Sequence, residues 1–343
     1  MMSKQGIALI GSTIVDEVLP VADAGRMTYV DAQAFVPVEE LAGEASVFSV
    51  GGMALNVAVD LAKIAGGYPI AVFGKVGRDH KAELIRKTLR ENGIPDDTLI
   101  VDEAFDTSST EVIHMRMGGG VIERFFRHKL GAMGAFRAED IPLEKISVFK
   151  IAMFGYGLLL PQLDLEDSEF GAKLGRLLAR TRDLGVMTAL DFVSPDVQNL
   201  FRFYRYRLAL KQVDILCIND DQACALADVD DPARACQLLV EKFGVGTAVV
   251  HCGAVGPNYA FNRSDGLLVQ PNFQVPPEEC LGNAGAGDAF SAGFLHGRHQ
   301  AWTTAASLEF AAAAAAVSLG HISCTGAMRD EAFIRSYIRE RKR

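Results

Sequence analysis

Gly282-Asn283-Ala284-Gly285-Ala286-Gly287-Asp288-Ala289-Phe290 is a glycine-rich turn that runs into apolar residues at helical spacing, Phe290, Phe294 and Leu295. Three glycines in six positions let the backbone turn tightly and come close to a ligand. The helix that follows leaves its first N–H groups unpaired and partially positive, so the turn is an anion site. Asp288 at its edge cannot itself bind an anion. It can take a proton from a hydroxyl as that oxygen attacks phosphorus. The plainer alternative is a turn in which Asp288 only favours the first turn of a helix.

A second motif lies far upstream: Gly51-Gly52-Met53-Ala54-Leu55-Asn56-Val57-Ala58-Val59-Asp60-Leu61-Ala62-Lys63-Ile64-Ala65-Gly66. Paired glycines again open a helix and expose amide donors, and apolar residues surround most of the helix axis. Asn56, Asp60 and Lys63 form one polar stripe at i, i+4 and i+7. For Asp60 and Lys63 the stripe reads as a solvated face. Asn56, in the first turn beside Gly51 and Gly52, has an amide that can both donate to and accept from a polyol.

Outward from these motifs, β-type runs alternate with amphipathic segments. Strands are expected near 6–10, 69–76, 148–154, 186–191, 213–218 and 246–251. Helices are expected near 53–65, 80–92, 169–184 and 232–243, and after 286 and 303. Such alternation predicts a largely parallel sheet covered on both faces, with the ligand site beyond the carboxyl ends of its strands. Residues 12–50, with short apolar runs of no helical period, and residues 108–130, with alternating runs, break the rhythm and are read as strands of a small β-sheet that projects as a lid, a dimer surface or both. No internal repeat is visible.

The chain has 343 residues, 49% of them hydrophobic and 22% charged, which is a globular composition. A formal charge of −9 disfavours nonspecific binding to nucleic acid or to anionic lipid. The exception is Phe201-Arg202-Phe203-Tyr204-Arg205-Tyr206-Arg207, which reads best as a helix that buries one aromatic face while its arginines meet water. Six cysteines all lie in the C-terminal half, without C-x-x-C spacing, and read as reduced thiols. The sequence enters an apolar strand almost at once, without a secretory leader pattern, and the longest apolar run, Phe310 to Val317, is short of the ~20 residues a membrane helix needs. A cytoplasmic protein is the expectation.

Gly51 to Gly66 resembles the N-terminal signature of the ribokinase-like (PfkB-type) carbohydrate kinases, and Gly285-Ala286-Gly287-Asp288 with its helix resembles their C-terminal one. The likeness runs through Gly74-Lys75-Val76-Gly77-Arg78-Asp79, Glu123-Arg124, Asp191, Asn219 and Gly253-Ala254-Val255-Gly256, and so covers nearly the whole chain. It implies a single ribokinase-like α/β/α sandwich over 1–343, with a mostly parallel central sheet and a β-sheet lid formed by about 12–50 and 108–130. It also implies an ATP- and Mg2+-dependent phosphotransferase acting on a hydroxyl of a small sugar or sugar-like metabolite.

By the same resemblance Asp288 is the general base, and the amides of Gly285, Ala286 and Gly287 stabilise charge on the phosphoryl group. Asp16, Gly51, Gly52 and Asn56 hold the acceptor, and Arg124 contacts a substrate carboxylate or phosphate. Asn219 approaches the ATP phosphates and magnesium shell, and the turn from Gly253 to Gly256 lines the nucleotide. No metal ligand is assigned. A homodimer through the lid is expected, since exposed sheet edges find partners.

Three departures from the family pattern stand out. Gly282-Asn283 replaces a common Asp-Thr, which puts a monovalent-cation site in doubt. Asn219-Asp220-Asp221-Gln222 replaces Asn-x-x-Glu, and His251 replaces a common Thr. Two alternatives remain open: a nucleoside or sugar-phosphate kinase of the same family, and a catalytically weak nucleotide- or metabolite-binding regulator. A Rossmann dehydrogenase fails because the first strand leads into Gly11-Ser12-Thr13-Ile14 rather than a G-x-G-x-x-G turn, and a P-loop fails for want of Lys-Ser/Thr after the glycines.

Overall fold

The first strand, Ile7–Gly11, is buried along its whole length, as a strand covered on both faces must be. Ile7 and Leu9 enter the core on one face of the sheet, and Ala8 and Ile10 enter the core on the other. This strand pairs in parallel with Ile70–Val76 on one side and Ile151–Gly157 on the other. The computed structural model describes residues 4–18, 22–23, 28–30, 33–35, 47–116, 122–193, 200–253 and 256–341.

Nine strands build the large sheet. From the first strand the sheet extends through Ile70–Val76 to an edge strand, Leu99–Val101, and in the other direction through Ile151–Gly157, Met187–Phe192, Ile215–Asn219 and Thr247–His251, all parallel. An antiparallel hairpin, Asn258–Asn262 and Gly266–Gln270, closes the far edge. The order reverses at the first strand, which makes a crevice at the carboxyl ends of the strands.

The helices Met53–Ile64, His80–Glu91, Ala286–His299, Thr304–Ser318 and Glu331–Arg341 contribute to the core on one face. Lys173–Asp183, Leu200–Arg205, Asp220–Ala227 and Pro232–Glu241 contribute to the other. No described helix is long and apolar enough to cross a membrane.

A smaller sheet stands beside the crevice. Ile14–Val18 pairs antiparallel with Val47–Gly51 and parallel with Ser109–Arg116, which in turn pairs antiparallel with Ile122–Lys129. The turn Gly118-Gly119-Gly120 lies outside the described residues.

The structure departs from the sequence reading at three points. The strand expected near 148–154 runs instead from Ile151 to Gly157, because the short helix Leu143–Ile146 ends in a turn closed by Phe149 N donating to Ile146 O. The helix Asp220–Ala227, absent from the expected helices, is set by a local cap rather than by apolar period. In the Arg-aromatic run, Phe203 and Tyr206 are buried as expected, but two arginines do not simply meet water. Arg205 pairs with Glu166 at 2.9 Å, and Arg207 donates to Leu226 O at 2.8 Å and lies over Tyr204.

Phe203 is 0% exposed and Phe201 is 71% exposed on the same short helix. Phe203→Ala is expected to cost about 3–5 kcal/mol of stability, as buried aromatic deletions do. Phe201→Ala is expected to stay within about 0.5 kcal/mol. Urea denaturation of the two variants checks the difference.

Candidate active site

Two glycine-led helices start at the crevice. The Met53 helix has Gly52 as its N-cap at φ 83°, with no side-chain cap, and Ser12 Oγ accepts from Met53 N at 2.9 Å. The Ala286 helix has Gly285 as its N-cap at φ 79°, again with no side-chain cap; Ala286 N donates to Asn283 O at a long 3.5 Å, and Gly285–Gly287 line the crevice. Gly285 is required twice over: its φ is left-handed, and a Cβ there would lie 2.6 Å from Cys324 Cβ.

Asp288 is the third residue of the Ala286 helix and is 3% exposed. Asn56 Nδ2 donates to its Oδ2 at 2.8 Å, and the Tyr156 hydroxyl donates to its Oδ1 at 2.5 Å. Burial pushes the Asp288 carboxyl above its ordinary range, and the two hydrogen bonds pull it back. Asp191, at the end of its strand, is pushed well up by burial and by the charge of Asp288.

Asp16 reaches the crevice from the small sheet. Its strand pairs with Val47–Gly51, and a Cβ on Gly51 would fall 2.1 Å from Asp16 Oδ2, so that glycine makes room for the carboxylate. Burial and Asp288 push Asp16 up to about 7, against hydrogen bonds from Cys324 and Thr110.

Asp16, Gly52, Asn56, Asn219, Gly285–Gly287 and Asp288 thus all line one cavity of about 290 Å³. Val18, Val112 and Phe126 of the small sheet, with Phe192 of the large one and Leu159 in the turn after Gly157, give it an apolar wall. Gly51 backs Asp16. Gly253 and Gly256 do not line this cavity: their carbonyls accept from Asn272 Nδ2 at 2.6 and 2.7 Å, while Ala254 and Val255 lie outside the described residues. Arg124 is described by its strand position alone, opposite His114.

The sequence reading missed Tyr156, His128, Thr110 and Cys324, all of which line the cavity. Gln222, marked above as a departure, forms a reciprocal cap: Gln222 N donates to Asn219 Oδ1 at 2.8 Å, and Asn219 N donates to Gln222 Oε1 at 3.0 Å. Burial holds His251, in place of the common Thr, down to about 4 and therefore neutral. The solvated face expected for Asp60 and Lys63 is not found: Asp60 is 0% exposed, and Lys63 is half-buried with Nζ donating to Thr325 O at 2.6 Å. The Ala286 helix covers that side of the Met53 helix, where the same-face spacing alone suggested water.

A doubly covered α/β sheet with a glycine-led acid at its strand ends, and a second sheet over the opening, is the architecture of the ribokinase fold. Ribokinase from Arabidopsis thaliana, solved in complex with ribose and ATP, superposes with a TM-score of 0.77 at 20% identity, over 98% of this chain and 99% of that one. Adenosine kinase from Sinorhizobium meliloti gives 0.72 at 21% identity, over 97% and 99%. Among curated proteins, a 5-dehydro-2-deoxygluconokinase from Geobacillus kaustophilus is 23% identical over 85% of each chain. The chain belongs to the pfkB family of carbohydrate kinases, whose family model matches residues 7–331.

Because the folded-state pKa of Asp16 is raised, the protein binds that proton more tightly folded than unfolded. Its contribution to stability is full below the unfolded value of 3.8 and is lost as pH rises to about 7. Asp16→Asn is therefore expected to match wild type near pH 4 and to exceed it by up to about 4 kcal/mol at pH 8. Denaturant midpoints at the two pH values check this.

Proposed function

We propose that this carbohydrate kinase transfers the γ-phosphoryl group of ATP to a hydroxyl of a small sugar or sugar-like metabolite. The observation that carries the reading is the placement of Asp288. It is a buried carboxylate at the third residue of an uncapped helix, held by Asn56 and Tyr156, and it faces the cavity that Asp16 enters from the other sheet.

In this reading Asp16, Gly52 and Asn56 hold the acceptor, with Gly51 making room. Asp288 takes the proton of the acceptor hydroxyl as its oxygen attacks the γ-phosphorus and the bond to the ADP oxygen breaks. The amides of Gly285, Ala286 and Gly287 stabilise the charge on the phosphoryl oxygens in flight. Nucleotide lies toward Asn219 and His251, and Gly253 and Gly256 shape the outer edge of its site. Magnesium enters with ATP as part of that substrate. The amides of Asn219 and Gln222 offer neutral oxygens already used in the helix cap, and Asp191 lines the same cavity with a carboxylate. The small sheet acts as a lid that keeps water from the phosphoryl group, and Arg124 on it meets a carboxylate or phosphate of the acceptor. Exposed Phe48 on its edge strand supports a homodimer through the lid.

The apolar wall favours a second reading in the same family, an acceptor with an apolar face such as a nucleoside. That reading shares the chemistry and differs in what lies under Phe126 and Leu159.

Magnesium-dependent ADP release across pentoses, hexoses, ketodeoxy acids, nucleosides and sugar phosphates names the acceptor. Asp288→Asn is expected to lower acceptor-dependent turnover about 10²–10⁴-fold, with ATP affinity by calorimetry nearly unchanged. Equal turnover in the two proteins removes Asp288 as the base. ATP binding with no acceptor-dependent turnover in the wild type promotes a nucleotide-binding regulator.

A further inference from the structure

Asp60 plays no part in the chemistry above, yet its environment is unusual for a carboxylate. Neither of its carboxyl oxygens has a hydrogen-bond partner, and the same is true of Asn56 Oδ1; all three atoms are buried from solvent. The two residues stand four apart on the Met53 helix, on one face and on adjacent turns, which sets their Cβ atoms about 5–6 Å apart. Lys63 does not neutralise Asp60 by a direct bond, since its ammonium donates to Thr325 O. The other titratable groups near Asp60 are Asp288, across from it on the Ala286 helix, and Cys324, on the turn that follows the Thr304 helix.

An ionised carboxylate buried without a donor is strongly disfavoured, and two acceptors cannot satisfy each other. A proton on Asp60 removes both problems, because it turns one acceptor into a donor for the other. We propose that Asp60 is a buried neutral carboxylic acid that donates its proton to Asn56 Oδ1 and so fixes the Asn56 amide with Nδ2 toward Asp288. Burial first, and the charge of Asp288 second, push Asp60 well above the carboxylate range, in agreement with this state. The inference rests on the reading of Asp288 as the base. A flipped Asn56 would set an oxygen against the Asp288 carboxylate in place of a donor and would leave Asp288 held by Tyr156 alone. Asp60 is thus a positioning residue that acts through Asn56.

Two variants and one spectrum test it. Asp60→Asn keeps a donor for Asn56 Oδ1 and is expected to hold kcat within about threefold of wild type, whereas Asp60→Leu, of similar size and without a donor, is expected to lose about 10–100-fold in kcat with little change in ATP affinity. The Leu variant is expected to melt lower than the Asn variant, because it leaves Asn56 Oδ1 buried without a donor, so kcat is compared at a temperature where both are folded. An infrared difference spectrum of wild type minus Asp60→Asn at pH 8 is expected to show the carbonyl stretch of a protonated carboxylic acid. Absence of that band, equal losses in the two variants, or full activity in Asp60→Leu overturns the proposal. A wild type that turns over no acceptor overturns the kinase reading instead, and the infrared band then decides the state of Asp60 by itself.

Discussion

The 2.8 Å hydrogen bond from Asn56 Nδ2 to Asp288 Oδ2 joins two helices that begin 230 or so residues apart in sequence, and the rest of the site is arranged around it. Each helix starts at the carboxyl ends of the parallel strands, and each starts on a glycine with positive φ rather than on a capping side chain. A glycine start costs each helix only roughly a few tenths of a kcal/mol relative to a Ser or Asp cap. At the Ala286 helix this start sets the backbone of Gly285–Gly287 beside a carboxylate on the cavity wall, whereas Met53 N of the other helix is taken by Ser12 Oγ. The tie between the two helices then sets where that carboxylate points, and it does so from within the core, where neither helix can shift without disturbing close-packed neighbours.

The same constraint explains why so much unfavourable electrostatics collects here. Asp16, Asp191 and Asp288 are each raised in pKa by burial, and Asp16 and Asp191 are raised again by the charge of Asp288. A site selected only for stability would replace such groups with apolar side chains. Concentrating them where strands end, under a separate sheet, is the pattern expected when perturbed acids serve binding and proton transfer. Tyr156 belongs to this arrangement: its hydroxyl gives Asp288 a second donor, which keeps that acid closer to ionisation than burial alone would allow.

Much of this was legible in the sequence where a signal is local. Alternating strands and helices gave the sheet, and two glycine-led turns placed Asp288, Gly285–Gly287 and Asn56 at helix starts that do converge. Asp16 and Asn219 followed only through resemblance. Tyr156, His128 and Cys324 were missed because each reaches the cavity from a different part of the chain, and no local period marks them. Asp60 was misread for a more instructive reason. A stripe at i, i+4 and i+7 is the same whether water or another helix covers it. The deciding signal was the apolar residues around nearly the whole helix axis, which leave no face for solvent; read strictly, they exclude a solvated Asp60.

Gln222 shows how a departure from family pattern can be structural in origin. Its Oε1 accepts from Asn219 N, and its Nε2 donates to Phe192 O at 2.9 Å, so it uses both ends of the amide. A glutamate at this position could still accept from Asn219 but could not donate to Phe192 O unless protonated. The amide therefore ties the cap of the Asp220 helix to the end of the Met187 strand, one residue from Asp191. It also removes one negative charge from the rim where nucleotide phosphates are proposed to lie. The exchange of an acid for an amide gains a fixed bridge between the end of one strand and the start of a helix, and with it a less repulsive rim for a polyanion.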